Sequence, residues 1–187
     1  MESKVAYLKQ KGRKGVLRIG QQGYNLLITY FPSHHVRLNW LRFWGASIGA
    51  GSAVMRGCTV LDIRSLTIGD SVSIGSRCLL DARGGLTIED AVVIASDVHL
   101  IGAYHVIDSD DFESVEKPIH IGDHAWIASR ATVLCGVTIG RGAVVGACSL
   151  VRQDVGELEI VAGVPAKHRG MRRSNLTYDP KYRPVLY

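Results

Sequence analysis

The sequence predicts an all-β chain wound as a parallel β-helix of hexapeptide repeats, with a short helical N-terminal cap and one excursion loop. Three observations carry this expectation. Between residues 121 and 151 every sixth residue is aliphatic: Ile121, Ile127, Val133, Ile139, Val145 and Val151. The residue four places after each of the first five is small or short: Ala125, Ala131, Val137, Ala143 and Ser149. A helix asks for apolar residues at steps of three and four, and a half-buried strand asks for alternation. A period of six satisfies neither; it suits a coil whose flat sides are six residues long. The same step recurs earlier, through Ile48, Val54, Val60 and Leu66, then Ile68, Ile74, Leu80 and Leu86, then Ile88, Ile94 and Leu100. Finally, 21 glycines and an aromatic content of 7% suit a narrow prism that turns at every side.

The phase of the repeat sets the length of each coil. It slips by two after Leu66 and again after Leu86, so the early coils take 20 residues. S-L-T-I-G-D-S-V-S-I-G (65–75) and G-L-T-I-E-D-A-V-V-I-A (85–95) are one phrase repeated 20 residues apart, whereas the later coils close in 18. A single coil cannot bury its own inside; stacking gives a continuous Ile/Val column with backbone bonds between rungs.

Taken in order, residues 1–45 form a basic arm and a helical cap. The arm carries Lys4, Lys9, Lys11, Arg13 and Lys14. Tyr24, Leu27, Ile28 and Phe31 stand at helical spacing, Pro32 stops that segment, and Ser33 is placed to cap the next. Val36, Trp40, Leu41 and Trp44 form a second helical face, with Gly45 past its end. Two short helices are expected to cover the open end of the coil, where core and unpaired strand edge are otherwise exposed. Arg37 and Arg42 beside two tryptophans also admit peripheral membrane contact.

Residues 46–164 are the β-helix. Its third side is irregular: the small inward position is broken at Arg64, Gly84 and Tyr104, which makes that side the natural place for a cleft. The segment 102–118 drops the period and carries Asp108, Asp110, Asp111, Glu113 and Glu116. Excursions from a rigid scaffold are where sites concentrate. Residues 165–187 form a basic, turn-rich tail with Lys167, Arg169, Arg172 and Arg173.

The net charge of +5 fits a soluble protein with basic ends, or an anionic ligand or membrane surface. No nucleic-acid partner is expected. Cys58, Cys78, Cys135 and Cys148 form no C-x-x-C; Cys58 and Cys78 take the same inward position in successive coils and read as core residues in a reducing compartment, not a disulfide frame. The N-terminus has no apolar core of a signal peptide, and the longest apolar run, near Leu26 to Phe31, is far too short to span a bilayer. A cytoplasmic location, with contact at the inner face of the membrane left open, follows as an expectation.

Several stretches resemble the hexapeptide-repeat acyltransferases, in particular the maltose, galactoside and exopolysaccharide O-acetyltransferases. They are I-G-D-H-A-W-I-A-S (121–129), V-T-I-G-R-G-A-V-V-G-A-C-S-L-V (137–151) and the tail motif I-V-A-G-V-P-A-K (160–167). P-S-H-H-V-R-L-N-W-L-R-F-W-G-A-S-I-G (32–49) looks like the branch that acts on capsule, O-antigen or exopolysaccharide sugars. The resemblance implies a left-handed coil, against the usual right-handed crossover. It also implies a homotrimer with acetyl-CoA lying in the groove between two prisms.

On that resemblance the reaction is acetyl transfer from acetyl-CoA to a sugar hydroxyl, and His105 is the general base. A hydroxyl needs a base as it attacks a thioester, and histidine, with a reference pKa of about 6.5, suits neutral pH. Asp108, Asp110, Asp111 or a backbone carbonyl is available to orient the imidazole. Asp81 falls near a family position that contacts the acceptor; by its neighbours alone it is a turn aspartate before Gly84 and Gly85. Tyr104 and Asp108, which flank His105, are placed with the acceptor as well. For the cofactor, Trp126 matches the family tryptophan, Ser129 and Ala147 match groove positions, and Lys167 matches the basic residue of the tail motif. Arg152 and Gln153 stand where the family often has Thr-Lys, so Arg152 takes the place of that lysine.

Two other readings compete. N-acetylation of an amino sugar or nucleotide sugar would use the same cofactor half. A zinc enzyme like the γ-class carbonic anhydrases is invited by His99, His120 and His124, although their neighbours do not match that family, and no metal is expected.

Overall fold

The computed structural model describes residues 17–180. The basic residues Lys4, Lys9, Lys11, Arg13 and Lys14, and the end of the tail (181–187), lie outside the described residues.

Three sheets wind as the sides of a prism. The first stacks β1 (Ser47–Ile48), β4 (Leu66–Ile68), β7 (Leu86–Ile88), β12 (Ile119–Ile121) and β15 (Thr138–Ile139). The second stacks β2 (Ala53–Val54), β5 (Ser73–Ile74), β8 (Val93–Ile94), β13 (Trp126–Ile127), β16 (Val144–Val145) and β18 (Glu159–Ala162), with β19 (Lys167–Met171) at its edge. The third stacks β3 (Thr59–Leu61), β6 (Leu79–Asp81), β9 (His99–Ile101), β14 (Thr132–Leu134) and β17 (Leu150–Val151). Register follows the predicted periods. Ser47 pairs with Thr67 and Thr67 with Thr87, steps of 20, while His120 pairs with Thr138 and Trp126 with Val144, steps of 18. Leu86 pairs with Ile119, 33 residues on, so the excursion is inserted without disturbing the stack.

The aliphatic column is the core. Val54, Val60, Ile74, Leu80, Ile94, Leu100, Ile127, Val133 and Val145 are all buried within one continuous cluster. Each such side chain contributes on the order of 1.5–3 kcal/mol of burial. Cys58 and Cys78 lie inside it, each Sγ–H donating to a carbonyl of the next coil, of Gly75 and Ala95. Cys135 is half-buried and Cys148 is exposed, because Cys148 occupies a left-handed corner (φ 57) that turns its side chain outward.

The I-G-D phrase has a mechanical reason. Asp70 accepts the Ala50 N–H of the coil before it (2.6 Å), and Asp90 accepts the Asp70 N–H (2.7 Å). A side chain at Gly49 or Gly69 would run into those carboxylates, so glycine in one coil makes room for aspartate in the next.

The cap is helical, as expected, and Tyr24 and Leu41 of the expected faces join the core with Ile28, Trp40 and Trp44 packed against it, but Leu27 and Phe31 do not. Residues 17–26 form α1, Ile28–Tyr30 a 3-10 turn, and His34–Phe43 α2. Leu27 is 72% exposed and Phe31 47%, whereas Tyr24, Arg37, Leu38 and Leu41 are buried. The first coil presents a bare strand edge, and the cap covers it with hydrogen bonds. Asn25 donates to the Val60 carbonyl and accepts its N–H (both 2.9 Å). Gln21 accepts the Asp62 N–H, and the Thr29 hydroxyl donates to the Cys58 carbonyl. Arg37 donates to the carbonyls of Val54 (2.9 Å) and Phe31. Ser33 sits at the N-cap of α2 with extended backbone but makes no capping bond, and Gly45 follows the helix at φ 107.

Trp40 and Trp44 point into the cap. Their rings pack where side chains at Gly23 and Gly20 would stand, and Trp40 Nε1 donates to the Gly20 carbonyl (3.0 Å). Among the described residues no helix is long and apolar enough to cross a membrane.

The tail is more ordered than its composition implied. β19 pairs antiparallel with β18, and Arg172 donates to the carbonyls of His124 and Gly142. Leu176 is buried against Gly142, which strapped chain no sequence period announces.

Candidate active site

The excursion expected over 102–118 is a β-hairpin. β10 (Ala103–His105) and β11 (Ser114–Glu116) run antiparallel, with Ala103 opposite Glu116, Tyr104 opposite Val115 and His105 opposite Ser114. It leaves the prism at the corner between the third and first sheets, after β9 and before β12.

His105 ends β10 at the neck of the tip. Its Nδ1 lies 2.8 Å from the carbonyl oxygen of Phe112, and its ring stacks on the Phe112 ring (4.4 Å between centroids, 6° between planes). A carbonyl only accepts, so the proton of the neutral imidazole sits on Nδ1, and Nε2 keeps its lone pair. Among the partners the sequence left open, the structure shows the carbonyl. Asp108, Asp110 and Asp111 lie exposed in the tip. No motif singles out Phe112, which stands at a left-handed φ of 46 with its carbonyl turned to the histidine.

Adjacent side chains of a strand point to opposite faces. Tyr104 therefore projects away from His105, and the Lys117 ammonium stands over its ring (5.6 Å). Asp81 lies at the foot of the hairpin, only 1% exposed. Arg83 clasps it through Nε and a terminal nitrogen (2.8 and 2.7 Å). Burial opposes the charge of Asp81, but the bonds from Arg83 and from the backbone N–H groups of Arg83 and Gly102 outweigh it and hold the carboxyl below the usual aspartate range. Arg83, raised in turn by that bond, was not foreseen.

The other candidates lie elsewhere on the prism. Trp126 projects from β13, 46% exposed, between Val93 and Val144 on the neighbouring rungs. Ser129 and Ala147 are exposed 18 residues apart at the next corner, where the Cys148 N–H donates to the Ser129 carbonyl (3.0 Å). Arg152 and Lys167 come together at the C-terminal end, lining a cavity of about 360 Å³ with Gln153 and His168. Within one chain Trp126, Ser129 and Ala147 stand away from the hairpin's corner, whereas Arg152 follows β17 onto that same third-to-first corner, two rungs farther along.

His99, His120 and His124 do not converge. His99 lies on the third sheet, His120 pairs with Glu89 (2.9 Å) on the first, and His124 pairs with Asp123 (2.8 Å) at a corner. Among the described residues no three ligating side chains gather within the chain.

Comparison with known proteins bears on this geometry. Residues 118–153 match a family described as Bacterial transferase hexapeptide (six repeats). Over 126 residues the chain is 34% identical to WcaF of Escherichia coli (strain K12), whose name assigns it to colanic acid biosynthesis as an acetyltransferase; the match covers 67% of this chain and 69% of that one. The chain belongs to the hexapeptide-repeat acetyltransferases. Its prism is the left-handed β-helix of that family. The family resemblance extends to Rv3034c of Mycobacterium tuberculosis (strain ATCC 25618 / H37Rv), named as an acetyltransferase and 32% identical over 108 residues. That match covers 55% of this chain but only 36% of the longer relative. Among solved structures, the hexapeptide-repeat acetyltransferase VCA0836 of Vibrio cholerae O1 biovar eltor, complexed with acetyl coenzyme A, superposes with a TM-score of 0.79. It is 29% identical, and the match covers 86% of this chain and 89% of that one.

Proposed function

We infer that this acetyltransferase moves an acetyl group from acetyl-CoA to a sugar hydroxyl during surface-polysaccharide assembly, with His105 as general base. The observation that carries the reading is the bond between His105 Nδ1 and the Phe112 carbonyl, which leaves Nε2 free to accept a proton. Nε2 takes the proton of the acceptor hydroxyl as its oxygen attacks the thioester carbon. The new C–O bond forms, the C–S bond breaks, and the proton passes from Nε2 to the departing thiolate sulfur. The acetyl-CoA bound in the Vibrio protein supports the donor, and the naming of WcaF supports the polysaccharide context.

The chain's own surface fits such a donor. Trp126, Ser129 and Ala147 offer an aromatic and small-residue wall, and Arg152 and Lys167 supply cations for its phosphates. Because Trp126, Ser129 and Ala147 stand at a different corner from His105, this reading calls for the hairpin of one subunit to meet the groove of another. A homotrimer, with the exposed Ile107 and Phe112 of each hairpin tip turned toward a neighbour, meets that need.

The test is acetyl-CoA turnover, read as free-thiol release, against a panel of sugars and lipid- or nucleotide-linked sugars. Acceptor-dependent release that falls at least a hundredfold in His105→Ala, with coenzyme A binding retained, is the expected result. Equal turnover in the variant would remove His105 as the base, and a strict demand for amino acceptors would move the reading to N-acetylation.

A further inference from the structure

The irregular third side holds a cavity of about 880 Å³ beneath α1, lined by Leu17, Arg18, Gln21, Trp44, Asp62, Arg64, Arg83 and Glu116 among others. It adjoins the His105 hairpin. Glu116 sits opposite Ala103, and alternation puts both on the face that carries His105, two residues or roughly 7 Å farther along the strand.

Its walls are rich in donors. Arg18 and Arg64 are exposed and make no ion pair among the described residues. The Gln21 side-chain oxygen already accepts the Asp62 N–H, which leaves its NH2 group to face the cavity. The Trp44 indole N–H is buried on the same wall and has no acceptor among the described residues. On the acceptor side, Asp62 already receives the Ser65 hydroxyl (2.7 Å), and Asp81 stands behind Arg83 and claims two of its nitrogens. Glu116 is the remaining carboxylate. Charge is therefore near balance, but hydrogen-bond donors exceed free acceptors, and a buried donor needs an oxygen to meet it.

We propose that this cavity is the subsite for an acidic acceptor: a sugar bearing a carboxylate or phosphate, gripped by Arg64 and Arg18 while its hydroxyl is held at His105. The proposal rests on the acetyltransfer reading above. Guanidinium groups match the planar, paired oxygens of a carboxylate or phosphate, and a volume of about 880 Å³ exceeds what one sugar ring fills, so the acceptor is an oligosaccharide or a phosphate-linked sugar.

The experiment measures acetyl-CoA-dependent thiol release with three acceptors: a neutral disaccharide, a uronic-acid disaccharide and a sugar 1-phosphate. It uses wild type, Arg64→Met, Arg18→Met and Arg64→Lys. The expected result is a lower KM for at least one acidic acceptor than for the neutral one, raised tenfold or more by Arg64→Met and partly restored by Arg64→Lys. The KM for acetyl-CoA should stay unchanged, and added salt should erode the preference. Preference for the uronic acid names a carboxylate, and preference for the 1-phosphate names a phosphate. Equal KM for neutral and acidic acceptors, or no response to either arginine, would overturn the subsite while leaving acetyl transfer intact. Thiol release with no acceptor of any kind would instead strike the underlying reading.

Discussion

Single residues are fixed here by what holds them. His105 is aligned by a carbonyl and a stacked ring, and Asp81 keeps its charge in a buried position because Arg83 clasps it. The second pair gives a test with a defined sign. The folded carboxyl of Asp81 is held below its unfolded value of about 3.9, so its stabilisation is full above that pH and is lost as pH falls through the folded value. In Arg83→Met only the backbone N–H groups of residue 83 and Gly102 still oppose burial, and the carboxyl moves upward. The variant should lose about 1–2 kcal/mol at pH 7, a figure kept small because Arg83 is partly exposed, and the deficit should close as pH drops toward 3.5. Urea unfolding at the two pH values measures it; a deficit that grows in acid would contradict the clasp. His105 itself was legible, because a histidine at the start of a period-breaking segment matched the family. Phe112 was not, since a carbonyl donated by a distant backbone turn has no residue signature.

Elements decide how the coil begins. Gln21, Asn25 and Thr29 recur at steps of four, one polar stripe along the first helical segment, and they meet Asp62, Val60 and Cys58 at steps of two along the strand. Helix rise over four residues, about 6 Å, nearly equals strand rise over two, about 6.7 Å. The stripe is legible as a spacing of polar residues, whereas the apolar face it borders splits: Tyr24 is buried but Leu27 and Phe31 are exposed. Asn25→Leu would leave the Val60 N–H and carbonyl without partners. It should cost about 2–4 kcal/mol in chemical denaturation while leaving the far-UV spectrum of the folded state unchanged. A loss under about 0.5 kcal/mol would mean that the edge is satisfied by other means.

At the scale of the molecule, the prism is a stack whose phase matters more than its number of coils. Leu66 pairs directly with Leu86, so removing residues 66–85 joins two coils in register. That deletion should give a shorter chain that still unfolds cooperatively, with a lower Tm. Removing residues 67–85 instead shifts every inward side chain by one position and should abolish the β-sheet signal. Circular dichroism on both separates them; equal folding of the two would show that the aliphatic period does not set the register.

Period, coil length, the break at 102–118 and the presence of a helical cap were all determined by sequence alone, because one-dimensional repetition leaves a trace in every coil that the chain completes. What covers the first strand edge, which carbonyl holds His105, how Arg83 secures Asp81 and where the arginine-lined cavity opens were decided only by the tertiary structure. Each of these joins residues whose separation follows no repeat. Their meeting depends on where the turns, the hairpin and the tail bring the backbone, and no local pattern of side chains encodes that.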